Sequence, residues 1–320
     1  MKIALGFVLL LFFLLLTVVL YWWSLVRIAD SRFDEAMKTA AGVRSAGASI
    51  GEAEEGIVPV SIEGADGERG EGLIRFPADG TEAGVGVLLI GGIGTGANAA
   101  RLAPPRSGMV VLALEYPLKA KLPRGSILAK VGGLGAIVEG VGESLVAFAL
   151  GRRFLEECLG AEKIVVVGVS LGVPFAAALA SMSEKPDAAA LLYGGGDVGP
   201  VIARALPGRP DFLKAIVGRM LGRVVARFDP VRLVPEIAPC PLLLVNAERD
   251  PRIPAESVRV LHEVAREPKK IVLLEGGHVL PEKEELLRTL VGEVFLWLEE
   301  LELLQEDTGT QPGGPSKTPE

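Results

Sequence analysis

Residues 164–172 read IVVVGVSLG and continue into an alanine-rich run. The apolar, β-branched start predicts a buried strand, and residues 171–182 predict a helix. The turn between them has the pattern G-x-S-x-G in a strand–turn–helix context. Because such a turn holds the serine in a strained conformation, only small residues fit two positions before and after it. Ser170 would therefore project from the edge of a sheet, which makes it a candidate nucleophile.

Two further candidate residues follow later strands. Asp250 comes after the apolar run 241–245, and His278 comes after the run 270–274. Parallel strands end on the same edge of a sheet, so both side chains can meet Ser170 there. The order Ser, Asp, His is the order used with this type of turn. The sequence therefore predicts a catalytic triad, with the backbone N–H of Leu171 facing the developing oxyanion.

Apolar runs alternate with helical patterns along most of the chain. Two-sided apolar runs are typical of a sheet that is buried on both faces, and helices between them supply parallel crossovers. The predicted class is α/β, with a mostly parallel central sheet flanked by helices. The predicted strands are 57–62, 72–76, 85–90, 109–114, 163–167, 188–193, 241–245 and 270–274. The predicted helices are 134–159, 171–182, 255–265 and 282–304.

The second histidine, His262, falls in a charged helical pattern and is expected to be solvated.

Residues 57–300 resemble the α/β-hydrolase superfamily, and within it the dienelactone-hydrolase-like and BAAT-like acyl-CoA thioesterase branches. The resemblance rests on G-x-S-x-G and on motifs elsewhere in the chain. These motifs are Asp66-Gly67, Gly91-Gly92-Ile93-Gly94, Glu115-Tyr116-Pro117 and Asp250-Pro251-Arg252-Ile253-Pro254. It implies cleavage of ester or thioester bonds through an acyl-enzyme, with Ser170 as nucleophile, His278 as base and acid, and Asp250 orienting His278. It also implies a second backbone oxyanion donor. Many relatives have His-Gly at positions 91 and 92, which leaves this donor open between Ile93 and Gly92.

The N-terminus carries a separate signal. Residues 3–23 form an uncharged run that ends in Tyr21, Trp22 and Trp23. About 20 apolar residues span a bilayer as a helix, and aromatic residues suit the membrane interface. The sequence therefore predicts an N-terminal transmembrane helix and a single-pass membrane anchor over residues 1–26, outside the core of the enzyme. A cleaved signal peptide is the alternative, and positive charges on both sides leave the membrane orientation open.

The rest of the chain divides into three parts. Residues 27–56 are a predicted stalk, residues 57–304 a hydrolase domain, and residues 305–320, which lack apolar side chains, a disordered tail. Within the domain, residues 194–239 interrupt the strand–helix alternation. They predict a small helical cap over the carboxyl edge of the sheet, where such sheets bind ligands, and the cap is expected to select the acyl group. The oligomeric state is left open.

Two rival interpretations remain. Gly92, Gly94 and Ala97 fit a dinucleotide-binding fingerprint, with Glu115 about 20 residues further on; Pro104-Pro105 argues against it by shortening the following helix. A non-catalytic, membrane-tethered binding module is the other rival, although all three triad residues are present.

The net charge of −7 gives no basic surplus for nucleic acid. No cluster has metal-ligand spacing, so the expected partner is a small-molecule ester or thioester, without metal or cofactor.

Overall fold

A sheet of nine strands forms the centre of the part of the chain that the computed structural model describes. That part comprises residues 2–77, 80–81, 83–92, 94–117, 127–208 and 210–305, with the backbone alone for residues 2–11, 14 and 127–134. The strands are β1 (Ser45–Ile50), β2 (Ile57–Gly64), β3 (Arg69–Arg75), β4 (Val85–Ile90), β5 (Met109–Leu114), β6 (Lys163–Val169), β7 (Ala188–Leu192), β8 (Leu242–Ala247) and β9 (Lys269–Leu274). They lie in the order β1-β2-β3-β5-β4-β6-β7-β8-β9.

The sheet is mostly parallel, as predicted. Strands β4 to β9 pair in parallel, and β1, β2 and β3 form an antiparallel edge. The eight strands predicted from apolar runs correspond to β2 to β9. Strand β1 was not predicted, because its sequence SAGASI has one β-branched residue, Ile50, and no aromatic residue to favour a strand. It lies within residues 27–56, which the sequence had assigned to a stalk.

Helices cover both faces of the sheet. One face is covered by α3 (Ile127–Glu157), α4 (Gly172–Ser181) and α8 (Ala255–Val264), and α1 (Lys2–Gly42) packs against α3. The other face packs against α2 (Ala99–Leu102) and α9 (Glu284–Glu300). The predicted helices correspond to α3, α4, α8 and α9. Because the chain crosses between parallel strands through these helices, the carboxyl ends of the strands meet at one edge.

The insertion between β7 and β8 is helical, and it flanks the sheet. It contains α5 (Val198–Ala205), α6 (Asp211–Val224) and α7 (Pro230–Leu233). These helices contact α1, α4 and α8. The carboxylate of Asp229 accepts hydrogen bonds from the backbone N–H groups of Asp197, Val198 and Val231 at 3.0, 2.8 and 3.0 Å. One buried side chain thus fixes the start of the insertion to its end.

Helix α1 packs on the rest of the fold. Leu25, Val26 and Ala29 are buried with Val224 of the insertion. Further along the helix, Phe33 joins the core on the α4 face of the sheet. The second half of α1, within the predicted stalk, therefore packs on α3 and on the insertion through its apolar face.

The predicted membrane anchor is wrong. Within the described residues, the chain offers no helix with both the length and the apolar content needed to cross a bilayer. Residues 3–23 are the first half of a single helix, α1. Its second half carries Arg27, Asp30 and Arg32 and packs against protein. The predictions of a transmembrane helix, of an anchor over residues 1–26 and of a membrane localisation are therefore wrong. Residues 306–320 of the predicted tail lie outside the described residues.

Candidate active site

Ser170 lies in the turn between β6 and α4, where its backbone has a left-handed φ of 53°. Residues other than glycine rarely adopt this conformation, and strained residues of this kind cluster at active sites, ligand clamps and switch regions. The Ser170 N–H donates to the Leu192 carbonyl oxygen at 2.8 Å, which ties the turn to β7. A Cβ on Gly172 would lie 2.1 Å from the Ile90 carbonyl oxygen, and one on Gly168 would lie 2.6 Å from the Gly172 carbonyl oxygen. Both flanking glycines are therefore required by close packing.

The structure brings the three residues of the predicted triad together. Ser170 Oγ lies 3.0 Å from His278 Nε2, and His278 Nδ1 lies 2.7 Å from Asp250 Oδ2. Asp250 follows β8 and His278 follows β9, and these neighbouring parallel strands end at the edge where Ser170 lies. The side chains of His278 and Asp250 are 3% and 1% exposed. The imidazole thus bridges a hydroxyl and a carboxylate in a site that excludes most water.

Hydrogen bonds keep the Asp250 carboxylate ionised. Burial raises the pKa of Asp250, but hydrogen bonds from His278 and from two backbone N–H groups outweigh burial, so the pKa lies below its usual value. The backbone donors are Arg252 at 2.7 Å and Ile253 at 3.0 Å. An ionised carboxylate accepts a hydrogen bond from the Nδ1–H of the imidazole, which leaves Nε2 free to accept the proton of Ser170.

Tyr193 forms an aromatic wall beside His278 that sequence reasoning missed. The two rings meet edge to face, with 5.8 Å between their centroids. Tyr193 is fully buried, has a left-handed φ of 57°, and donates its N–H to the Val245 carbonyl oxygen at 2.7 Å. Burial, followed by the nearby charge of Asp250, raises the pKa of Tyr193 to about 12. The phenol therefore stays neutral and adds no second negative charge to the site.

The predicted backbone donors flank Ser170. Leu171 occupies the N-cap of α4, where the first N–H groups of a helix lack partners within it. On the other side, a Cβ on Gly92 would lie 3.4 Å from the Ser170 Cβ atom. Gly92 is therefore next to the serine, as a second donor requires. Ile93, the alternative donor, lies outside the described residues.

The loop that resembles a dinucleotide fingerprint is bound to its own sheet. Glu115 Oε2 accepts a hydrogen bond from the Ala97 N–H at 3.0 Å, and the Tyr116 hydroxyl donates to the Gly91 carbonyl oxygen at 2.5 Å. In a dinucleotide site the acid would bind ribose, and the loop would open a helix that receives the pyrophosphate. Here the acid holds the loop, and the helix that follows has four residues. The arrangement favours the hydrolase interpretation.

Comparison with known proteins places the chain among solved structures. No protein-family model matches the sequence, and no curated protein matches it. The acetyl xylan esterase from Paenibacillus sp. R4 is 18% identical, with 82% of this chain and 93% of that chain covered and a TM-score of 0.56. Acetyl xylan esterase 1 from Thermoanaerobacterium sp. JW/SL YS485 is 14% identical, with 87% and 94% covered and a TM-score of 0.59. The chain has the α/β-hydrolase fold.

A third solved structure is similar over a shorter region. The esterase domain of a Rhodothermus marinus protein is 17% identical, with 76% of this chain and 98% of that chain covered and a TM-score of 0.52. At these identities the similarity extends to the fold alone. The predicted α/β-hydrolase fold is thus confirmed. The narrower resemblance to dienelactone hydrolases and acyl-CoA thioesterases stays a prediction.

His262, the second histidine of the sequence, is half-buried, contrary to the expectation that it is solvated. His262 Nε2 lies 2.9 Å from Asn246 Oδ1, and Asn246 Nδ2 donates to the Gly194 carbonyl oxygen at 2.8 Å. Asn246 is fully buried near the end of β8. A polar residue in an apolar strand signals a buried hydrogen-bond partner, and this signal was present in the sequence. His262 therefore ties α8 to the loop after β7.

Substitution of His262 by alanine is expected to lower the free energy of unfolding by about 1–3 kcal/mol, because it leaves Asn246 Oδ1 buried without its partner. Burial, with a smaller effect of Lys269, lowers the pKa of His262 in the folded protein. The stability that His262 contributes is therefore present above about pH 6.5 and is lost as the pH falls through the folded pKa. Urea unfolding at about pH 7.5 and about pH 5.5 measures this. A variant as pH-sensitive as the wild type would contradict it.

Proposed function

We propose that this chain is a serine hydrolase that cleaves carboxylic ester bonds, with Ser170 as nucleophile, His278 as general base and acid, and Asp250 as the residue that orients His278. One observation carries the proposal: His278 forms hydrogen-bonding contacts with both other residues. Ser170 Oγ lies 3.0 Å from His278 Nε2, and His278 Nδ1 lies 2.7 Å from Asp250 Oδ2. The esterase activity named for the three solved structures belongs to the same reaction class.

The first half of the reaction forms an acyl-enzyme. Ser170 Oγ attacks the ester carbonyl carbon while His278 Nε2 accepts the hydroxyl proton. The negative charge on the carbonyl oxygen is stabilised by backbone N–H groups, for which Leu171 and Gly92 are the proposed donors among the described residues. The carbon–oxygen bond to the alcohol then breaks, and His278 gives its proton to the leaving alkoxide.

The second half of the reaction releases the acid. Water takes the place of the alcohol, His278 accepts one of its protons, and the hydroxide attacks the acyl carbon. The bond to Ser170 Oγ breaks, and the proton returns from His278 to the serine. A thioester passes through the same steps with a thiol as leaving group, so the proposal includes thioesters. These steps require no metal or cofactor.

A serine-directed fluorophosphonate tests the proposal on the unmodified protein. We expect a stoichiometric adduct on the peptide that contains Ser170, located by mass spectrometry, and loss of p-nitrophenyl ester hydrolysis in step with labelling. Heat-unfolded protein is the control, because without the fold Ser170 has neither base nor oxyanion donors. An adduct on a different serine, or no adduct together with no ester hydrolysis, would contradict the proposed function.

A further inference from the structure

A cavity of about 140 Å³ opens beside Ser170 on the face of the sheet that α9 covers. The polar side chains among its described lining residues, Thr95, Ser170, Arg252 and His278, all come from loops at the carboxyl edge of the sheet. The remainder of the described lining is apolar. The cavity thus has a polar mouth at the triad and an apolar interior.

The interior is long because it follows α9. Six apolar residues of this helix line it, at the spacing of one helical face. They are Leu287, Leu290, Val291, Val294, Phe295 and Leu298. From the first to the last of them, the helical rise of about 1.5 Å per residue gives a length of about 16 Å.

The opposite wall gives a similar depth. It includes Val87, Val111 and Val167 of the central strands, and it ends at Met109. Through β4, Met109 is level with Lys163, the first residue of β6. From Lys163 to Val169, the last residue of that strand before Ser170, the sheet spans about 20 Å at about 3.3 Å per residue.

We infer, on the basis of the proposed function, that this cavity holds the acyl group of the substrate and selects a short, linear acyl chain. An apolar cavity of about 150 Å³ holds a molecule the size of benzene, so a volume of about 140 Å³ admits an acyl chain of about four to six carbons. The lined depth of about 16 Å exceeds the length of such a chain, so the volume sets the limit. The lining offers such a chain no hydrogen bonds and matches its apolar surface.

The order of the reaction assigns the cavity to the acyl group and not to the alcohol. Met109 and Leu298, at the far end, are buried, so the described residues close that end. The acyl group stays on Ser170 while the alcohol leaves and water enters. An alcohol in the interior would have to leave past the acyl-enzyme, whereas an acyl chain there lets the alcohol leave through the mouth.

The cavity also corrects the expectation that the insertion selects the acyl group. The described lining contains no residue of the segment 194–239. That segment packs with α1, α4 and α8 on the opposite face of the sheet. Acyl selection is therefore assigned to α9 and to the strand residues that face it.

The test is the hydrolysis of p-nitrophenyl esters by the full chain, from acetate through butyrate, hexanoate and octanoate to dodecanoate, below their aggregation limits. We expect kcat/KM to rise by up to about fourfold per methylene, the value for burial of one CH₂ group, and to peak between about four and six carbons. A maximum at acetate or a flat profile overturns this inference while leaving the proposed function intact. Hydrolysis of none of the esters would overturn the proposed function, and the inference with it.

A matched pair of variants on α9 locates the chain. Val291 is half-buried and lines the cavity, whereas Leu296 is 55% exposed and does not line it. Val291→Phe should lower the hexanoate-to-acetate ratio of kcat/KM at least about tenfold, because the bulkier ring excludes several methylenes. Leu296→Phe should leave the ratio unchanged. If Val291→Phe does not fold, Val294→Leu should shift the peak to a shorter chain; an unchanged ratio in a folded cavity variant overturns the inference.

Discussion

Replacement of His278 by alanine is expected to lower kcat for ester hydrolysis by about 10⁴–10⁶-fold. Among the described residues, His278 is the base within hydrogen-bonding distance of Ser170, with 3.0 Å between Nε2 and Oγ. Its Nδ1 atom lies 2.7 Å from Asp250 Oδ2. Without the imidazole, the serine proton has no acceptor and the leaving alkoxide has no donor. Steady-state kinetics at neutral pH, with circular dichroism to verify folding, measures the effect.

The other histidine supplies the control. His262 binds Asn246, not Ser170, so His262→Ala should keep kcat at the wild-type order of magnitude although it lowers stability. The double variant Ser170→Ala/His278→Ala should be no slower than either single variant, because residues that act as a unit lose their contribution together. Equal and mild losses from the two histidine substitutions would favour the non-catalytic binding module.

The sequence alone was sufficient to place the candidate triad. Ser170, Asp250 and His278 each follow an apolar run that the pattern predicts as a strand, and parallel strands end on one edge. Their meeting therefore follows from strand order and needs no knowledge of side-chain packing. The contacts that support the triad were harder to predict from the sequence. Tyr193 contacts His278 because its backbone adopts a left-handed conformation after β7, and no local pattern specifies that conformation for a tyrosine.

The error at the N-terminus has a physical explanation. An uncharged run of this length satisfies the criterion for a bilayer helix, and the prediction stopped at its end. The residues beyond it continue an apolar stripe at helical spacing, from Leu25 and Ala29 to Phe33 and Ala40, all of which are buried. That periodicity predicts a helix that packs on protein. The cavity along α9 could not be predicted, because its existence depends on how closely that helix approaches the sheet.

Phe33 connects α1 to the helix that follows Ser170. Its ring meets Phe228 of the insertion edge to face, with centroids 5.3 Å apart. Phe228 in turn meets Phe175 of α4 at 4.6 Å. Edge-to-face aromatic pairs contribute about 0.5–1.5 kcal/mol each beyond the burial of their area. The three rings therefore bind α1 and the insertion to the core behind the nucleophile.

Substitution of Phe33 by alanine is expected to lower the free energy of unfolding by about 3–5 kcal/mol, the usual cost of removing a buried phenylalanine ring. Ile28→Ala on the same helix is the matched control: its side chain is 57% exposed, so its effect should stay within about 0.5 kcal/mol. Urea unfolding of the full chain, followed by circular dichroism, measures both. If α1 packs on α3 and the insertion, the two variants must differ by at least about 2 kcal/mol. Equal unfolding midpoints would mean that α1 is not part of the cooperative unit, and that the core forms without it.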